Sequence, residues 1–184
     1  MNDEHNLVWI DLEMTGLNPE HDVILEIATI VTNGQLTQAI EGPHLIIHQP
    51  DSALEKMDDW VKKTHNRSGL IQQVRTSVVS LAQAEEQTIN FIKKHCKERK
   101  AILAGNSVWK DKEFLVRYMP SITNYLHYRI VDVTSIKEVV SRWYSQSPHI
   151  LFEKKETHRA LDDIRASISE LEHYRHYFFI PSEG

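Results

Sequence analysis

Apolar and polar positions along this chain follow two rhythms. The N-terminal part carries short apolar runs: Asn6 to Glu13, then Val23 to Val31, then Leu45-Ile46-Ile47-His48. Runs of this length, rich in β-branched residues and bounded by Gly, Pro and Asn, are predicted to be β-strands. Gly16 and Asn18-Pro19 separate the first two, and Asn33-Gly34 after the second is a two-residue hairpin signal, so an antiparallel meander is predicted. Pro50-Asp51-Ser52 closes that region, and residues 52–76 are mixed and polar, with short helical turns and no clear organisation.

Helical spacing then takes over. Leu81, Ala84, Thr88, Phe91 and Ile92 recur on one face between Ser80 and Cys96, which predicts an amphipathic helix. Ala101 to Asn106 is predicted to be a short buried strand, Lys110 to Met119 a helix stopped by Pro120, and Arg129 to Val133 another strand. A helix from Thr134 to Tyr144 and the loop Ser145-Gln146-Ser147-Pro148 follow. The last predicted helix runs from Thr157 to about Tyr177, with Leu161, Ile164, Ile168 and Leu171 along one stripe. A meander followed by alternating strands and helices predicts an α/β domain with a mixed β-sheet flanked by helices. The 184 residues fit one domain, 1–184, large enough for a sizeable core and without repeats or linkers.

Composition adds exclusions. Apolar residues make up 41% and charged residues 26%, ordinary for a folded domain with little disorder. The polar, acidic start Met1-Asn2-Asp3-Glu4-His5 lacks the pattern of a secretory signal, no apolar run is long enough for a membrane helix, and the lone Cys96 excludes an intrachain disulfide. A cytoplasmic protein without a membrane partner is therefore expected. The net charge of −5 argues against a protein that grips long nucleic acid by its phosphates but leaves short nucleic acid open. Two bound divalent cations would offset most of that charge.

The acids give the chain its candidate chemistry. Asp11 and Glu13 sit two apart in the first strand and so share one face, while Ile10 and Leu12 share the other. Such a pair is either a solvated edge or a cation site, since hard divalent ions bind carboxylate oxygens and cancel the repulsion. Asp111 lies near a predicted helix start, where it either complements the helix dipole or faces the first two acids from the end of a strand. On the last helix, periodicity places Asp163 on the shoulder of the apolar stripe and Asp162 toward water. His158 shares a site with Asp163 only if it lies at or before the first helical turn, and a mobile loop at Glu153-Lys154-Lys155-Glu156 is expected there; otherwise it is a polar surface residue. Asp11, Glu13, Asp111 and Asp163 with His158 suit two-metal phosphodiester hydrolysis with histidine as general base. His44 with His48, and His173 with His176, have metal-compatible spacings but no accompanying thiols that would suggest zinc.

Three segments carry a family resemblance: Trp9-Ile10-Asp11-Leu12-Glu13-Met14-Thr15-Gly16-Leu17, Gly105-Asn106-Ser107-Val108-Trp109-Lys110-Asp111 followed by Phe114-Leu115, and His158-Arg159-Ala160-Leu161-Asp162-Asp163. They resemble the exonuclease motifs of the DEDDh 3′→5′ exonuclease superfamily and, within it, the oligoribonuclease family. Tyr118-Met119-Pro120, His127-Tyr128-Arg129 and Val131-Asp132-Val133 extend the similarity over nearly the whole chain.

The resemblance implies a ribonuclease H-like fold, two Mg²⁺ or Mn²⁺ ions per site, and release of 5′-mononucleotides from the 3′ ends of short oligoribonucleotides, down to diribonucleotides. It implies Asp11, Glu13, Asp111 and Asp163 as metal ligands and His158 as the base. It further implies that Leu17 and Trp60 contact bases and that His65, Ser107 and Arg129 cap a 5′ phosphate, with Thr134 where serine is expected. A homodimer, with Tyr128 contributed across the interface, is implied too. A closed cap would select short chains, in keeping with the absence of a basic track. Without the resemblance, Trp60 and Tyr128 read first as core aromatics and Leu17 as a turn residue. Trp109 places a large aromatic where a small residue is expected, which bears on the cleft near Ser107. The competing functions are a broader exonuclease trimming longer RNA or DNA, and an RNA-binding module without catalysis; the presence of all the catalytic residues counts against the latter.

Overall fold

The structure, a computed structural model, describes residues 5–153 and 158–180. All of the predicted 153–156 loop but Glu153, and the predicted helix start at Thr157, lie outside the described residues. Three strands, β1 (Leu7–Met14), β2 (Ile24–Thr32) and β3 (Ala39–Ile46), pair antiparallel in sequence order. A fourth, β4 (Ile102–Gly105), runs parallel to β1, and β5 (His127–Asp132) runs parallel to β4, so the sheet order is β3-β2-β1-β4-β5. The predicted mixed sheet is present, flanked by helices.

Alternation in β1 divides the core. Val8, Ile10 and Leu12 point to a cluster completed by α4 (Leu81–His95), α5 (Val108–Tyr118) and α6 (Pro120–Tyr125). Leu7 and Trp9 point to the opposite cluster, built with α7 (Val133–Trp143) and α8 (Ala160–Phe178). Trp9 is wholly buried there and donates its indole N–H to Thr32 Oγ1 at 2.9 Å, which satisfies its one polar atom. The alternation that puts Trp9 on the α8 side puts Asp11 and Glu13 there as well. Residues 51–76, indistinct in sequence, form α1 (Asp51–Leu54), α2 (Asp59–Arg67) and α3 (Leu70–Thr76), packed over Leu25 around Leu54, Leu70, Ile71 and Val74.

The third strand differs from prediction. It starts at Ala39, six positions before Leu45, and the predicted two-residue hairpin at Asn33-Gly34 is a longer connection over 33–38. A two-residue type I′ turn needs positive φ at Gly34, but Leu36 is the residue of this connection that adopts one, with φ 61°. The Asn33 side chain closes the loop instead, accepting from Gln38 N and donating to Thr37 Oγ1. Gly42 and Pro43 hide the early half of the strand in sequence; they lie at a break in register opposite β2, where a residue without an N–H is tolerated.

Other boundaries have local causes. Ser80 and Gln83 form a reciprocal capping box that starts α4 where the apolar stripe begins. Pro120 ends the α5 region and occupies the first position of α6. Pairing of β1 with β4 stops at Trp9 and Ala104, and the two strands then separate. Gly105 sits at that parting, where a β-carbon would lie 3.0 Å from Val108 Cγ2 and 3.2 Å from the Ile10 carbonyl oxygen. Among the described residues no helix is long and apolar enough to cross a membrane.

Candidate active site

Three acids meet beside the parting of the strands. Asp11, Glu13 and Asp163 each offer a carboxylate oxygen, and the three oxygens lie within 4.8 Å of one another. Strand alternation supplies the first two; α8, crossing the same face, supplies the third from its first turn. Asp162 points outward to Arg165, as its position on the helix predicts. Asp111 reaches the strand from the other side: it is buried in the first turn of α5, and its Oδ1 accepts from Leu12 N at 3.0 Å. Leu12 lies beyond the last residue of β1 paired with β4, so this carboxylate occupies the edge that β4 has left.

The electrostatics are those of crowded acids. Burial pushes Glu13 up to about 8, with the charges of Glu26, Asp163 and Asp111 adding to it. Burial likewise pushes Asp111 up to about 7, against the hydrogen bond from Leu12. Oxygen ligands sharing excess negative charge are the donor set that Mg²⁺ or Mn²⁺ prefers, so the residues present fit such an ion.

Glu26 is the acid that the sequence prediction missed. It stands opposite Glu13 in the β1–β2 register and is fully buried, with His44 Nε2 and Arg159 Nε on its carboxylate. Arg159 also donates to Gln73 Oε1 at 3.0 Å, and its backbone N–H donates to Asp163 Oδ2 at 3.1 Å. One residue thus ties β2 and α3 to the start of α8. The signal was a single charge inside an otherwise uncharged strand, Ile24 to Val31, where an unpaired charge is too costly to bury.

His158 immediately precedes Arg159, outside the ideal helix, as sharing a site with Asp163 requires. Its φ of 51° is in the left-handed region, uncommon for a side-chain-bearing residue and frequent where a functional group is aimed. Its ring meets Trp60 edge-on at 6.0 Å. His65 lies close by, buried, donating from Nε2 to the Met14 carbonyl at 2.9 Å. Its Nδ1 has no hydrogen-bond partner among the described residues and stands 3.9 Å from Glu13 Oε2. Burial, with the charge of His158 adding to it, holds His65 below its ordinary value, against the hydrogen bond to Met14.

The remaining predicted residues are not brought together as one group: Ser107 lies with Thr134, and Arg129 with Tyr128. Ser107 N–H donates to both Asp132 Oδ1 and Thr134 Oγ1 at 2.9 Å, and the two hydroxyls are 3.1 Å apart. Arg129 lies over the ring of Tyr128, and Lys112 holds the Tyr128 carbonyl. Leu17, Trp60 and Tyr128 are all exposed, which removes the core-aromatic alternative for Trp60 and Tyr128. Trp109 is exposed too, under the Lys110 ammonium. His44 and His48 are engaged separately, with Glu26 and the Val74 carbonyl, and His173 with the His149 carbonyl.

Comparison with known proteins decides the family. The RNase_T family model, described as exonuclease, matches residues 8–171. An oligoribonuclease of Pseudomonas syringae pv. syringae (strain B728a) is 51% identical over 181 residues, 98% of this chain and 100% of that protein. The chain belongs to the oligoribonuclease family. Another oligoribonuclease, from Haemophilus influenzae (strain PittGG), is 51% identical over 178 residues, 96% of each chain. Membership makes this oligoribonuclease-family chain a nuclease. Its fold is shared with E. coli exonuclease I in complex with a dT13 oligonucleotide, at a TM-score of 0.67 and 16% identity. That match covers 92% of this chain and 41% of exonuclease I, so this chain spans less than half the length of that protein.

Proposed function

We propose that the chain is a 3′→5′ exoribonuclease that hydrolyses short oligoribonucleotides, down to diribonucleotides, to 5′-mononucleotides. The observation that carries this is the convergence of Asp11, Glu13 and Asp163 oxygens within 4.8 Å. Asp111, on the strand edge beside them, completes the set that would hold two Mg²⁺ or Mn²⁺ ions. When bound, such ions neutralise the acids, polarise the phosphodiester and make water a stronger nucleophile.

The chain's own groups do the rest. His158 takes the proton of the attacking water as general base, and Arg159, clamped on Glu26 and Gln73, fixes the backbone next to it. Leu17 and Trp60 present apolar surface to the bases, with Trp60 already seated against the His158 ring. Ser107 with Thr134, Arg129 and His65 receive the 5′ phosphate, and Tyr128 is contributed across a homodimer interface. Exposed Trp143 and Tyr144 on the surface at the end of α7 are in keeping with such an interface. Cys96 is a free, buried thiol that burial pushes up to about 11, unreactive and suited to a reducing cytoplasm.

The test uses 5′-labelled RNAs from a dinucleotide to a long oligomer, the matching DNAs, and Mg²⁺, Mn²⁺ or chelator. Dinucleotide RNA is expected to be cut fastest and only with metal. Faster cutting of the long RNA would favour a broader trimming exonuclease, and activity in chelator would sink the metal role.

A further inference from the structure

Leu17 stands 66% exposed in the connection from β1 to β2, and its neighbours are gathered on one carboxylate. Asp22 Oδ1 accepts from the hydroxyl of buried Thr15 at 2.9 Å, and Oδ2 accepts from Asn18 N–H at 2.9 Å. Gly16 lies so close to the same group that a β-carbon there would be 2.5 Å from Asp22 Oδ2. A carboxylate only accepts, so the Thr15 proton goes to it, while the Thr15 oxygen takes the Val23 N–H at 3.1 Å. Asp22 thus engages the residues on both sides of Leu17 and leaves the leucine itself pointing into solvent.

A second hold comes from α5. Tyr118 OH lies 2.9 Å from the Pro19 carbonyl and 2.8 Å from the Asp22 carbonyl, its one proton shared between them. Tyr118 is two turns along the helix from Asp111, and its ring stacks on wholly buried Phe114. The helix that brings Asp111 to the acids therefore also grips the return half of the turn, while Thr15 follows Glu13 by two residues on the other half. Both ends of the turn are tied to elements that carry the acids. Ordering a loop costs conformational entropy, and ordering it before substrate arrives lowers what binding has to supply.

We propose that Asp22 and Tyr118 are positioning residues that hold the 15–22 turn in its binding form, so that Leu17 meets the bases at a fixed place relative to the acid cluster. This rests on Leu17 contacting the bases, as set out above. Neither residue touches substrate, and each acts only through Leu17.

Single-turnover cleavage of a diribonucleotide by the full-length protein with Mg²⁺, at rising enzyme concentration, separates half-saturation from the saturated rate. Leu17→Ala is expected to raise half-saturation about tenfold, the value of burying most of a leucine side chain. If it does not, Leu17 does not contact the bases; that failure belongs to the base assignment, and the hold on the turn is then judged by hydrogen exchange. Given the tenfold loss, Asp22→Ala and Tyr118→Phe raise half-saturation by no more than Leu17→Ala does, leave the saturated rate unchanged, and add nothing to Leu17→Ala. Gly16→Ala, which drives the carboxylate off its donors, matches Asp22→Ala and adds nothing to it. Without substrate, amide exchange at Thr15 and Val23, whose own bonds do not use the Asp22 side chain, is faster in Asp22→Ala. Unchanged exchange would overturn the proposal, as would losses that add to Leu17→Ala. A lower saturated rate at unchanged half-saturation would overturn it too, because Asp22 would then be supporting the acids of β1 and not Leu17. If Asp22→Ala does not fold, Tyr118→Phe, which removes a single hydroxyl, decides by the same measurements.

Discussion

Replacing Glu13 by glutamine removes one negative charge from the acid cluster and nearly preserves the shape of its neutral form. A carboxyl whose pKa is higher in the folded chain than in the unfolded one holds more protons when folded, so stability falls as pH rises between the two values. For Glu13 that interval runs from 4.5 to about 8. A rise of that size corresponds to about 5 kcal/mol of stability lost by alkaline pH in metal-free protein. Glutamine does not titrate, so Glu13→Gln is expected to be the more stable protein in chelator at about pH 9 and nearly equal to the parent at about pH 5. Asp111, raised to about 7, keeps a slope at lower pH in both proteins. Urea denaturation across that range measures the difference. With Mg²⁺ restored, the parent should gain stability increasingly with pH, because the ion competes with protons for the same oxygens, and the variant should gain less. Parallel pH profiles for the two proteins in chelator would refute the electrostatic argument and, with it, the claim that Glu13 is held against its neighbours' charge.

Three further outcomes are expected. His158→Ala slows turnover while largely retaining dinucleotide affinity, compared by single-turnover kinetics and equilibrium binding; an equal collapse of binding would mean that His158 is not chiefly a base. Arg159→Gln removes the guanidinium from the buried Glu26 carboxylate, leaving His44 on it, and should cost up to about 3–5 kcal/mol by urea denaturation at neutral pH, with the double variant Arg159→Gln and Glu26→Gln recovering part of the loss. Trp60→Ala should weaken dinucleotide binding by about 1–3 kcal/mol, the scale of one base stack, with little change in thermal stability because the ring is 67% exposed.

Much of this was legible before the structure. The period-two pattern of β1 put Asp11 and Glu13 on one face, the helical period of α8 chose Asp163 over Asp162, and both placements hold. These are statements about one element's own geometry, which sequence carries directly. Positions set by contacts between elements were less visible. The early start of β3 was hidden because Gly42 and Pro43 gain their place from a break in register with β2. Asn106 and Glu170 were invisible as partners, since nothing local announces a hydrogen bond spanning 64 positions. Glu26 lay between: its presence in an apolar strand signalled a buried partner, but only the tertiary fold identifies Arg159 and His44.

The parting of β1 from β4 bears on when, during synthesis, the chain becomes dangerous to RNA. Asp11 and Glu13 are made early, Asp111 enters from one layer, and Asp163 arrives on α8 in the opposite layer. A ribosome-bound chain that has completed all five strands still lacks the acid from α8. Assembly of the cluster therefore waits for α8 to dock. Chemical competence would arrive only with α8, and a chain still lacking it could not attack the short RNAs around it.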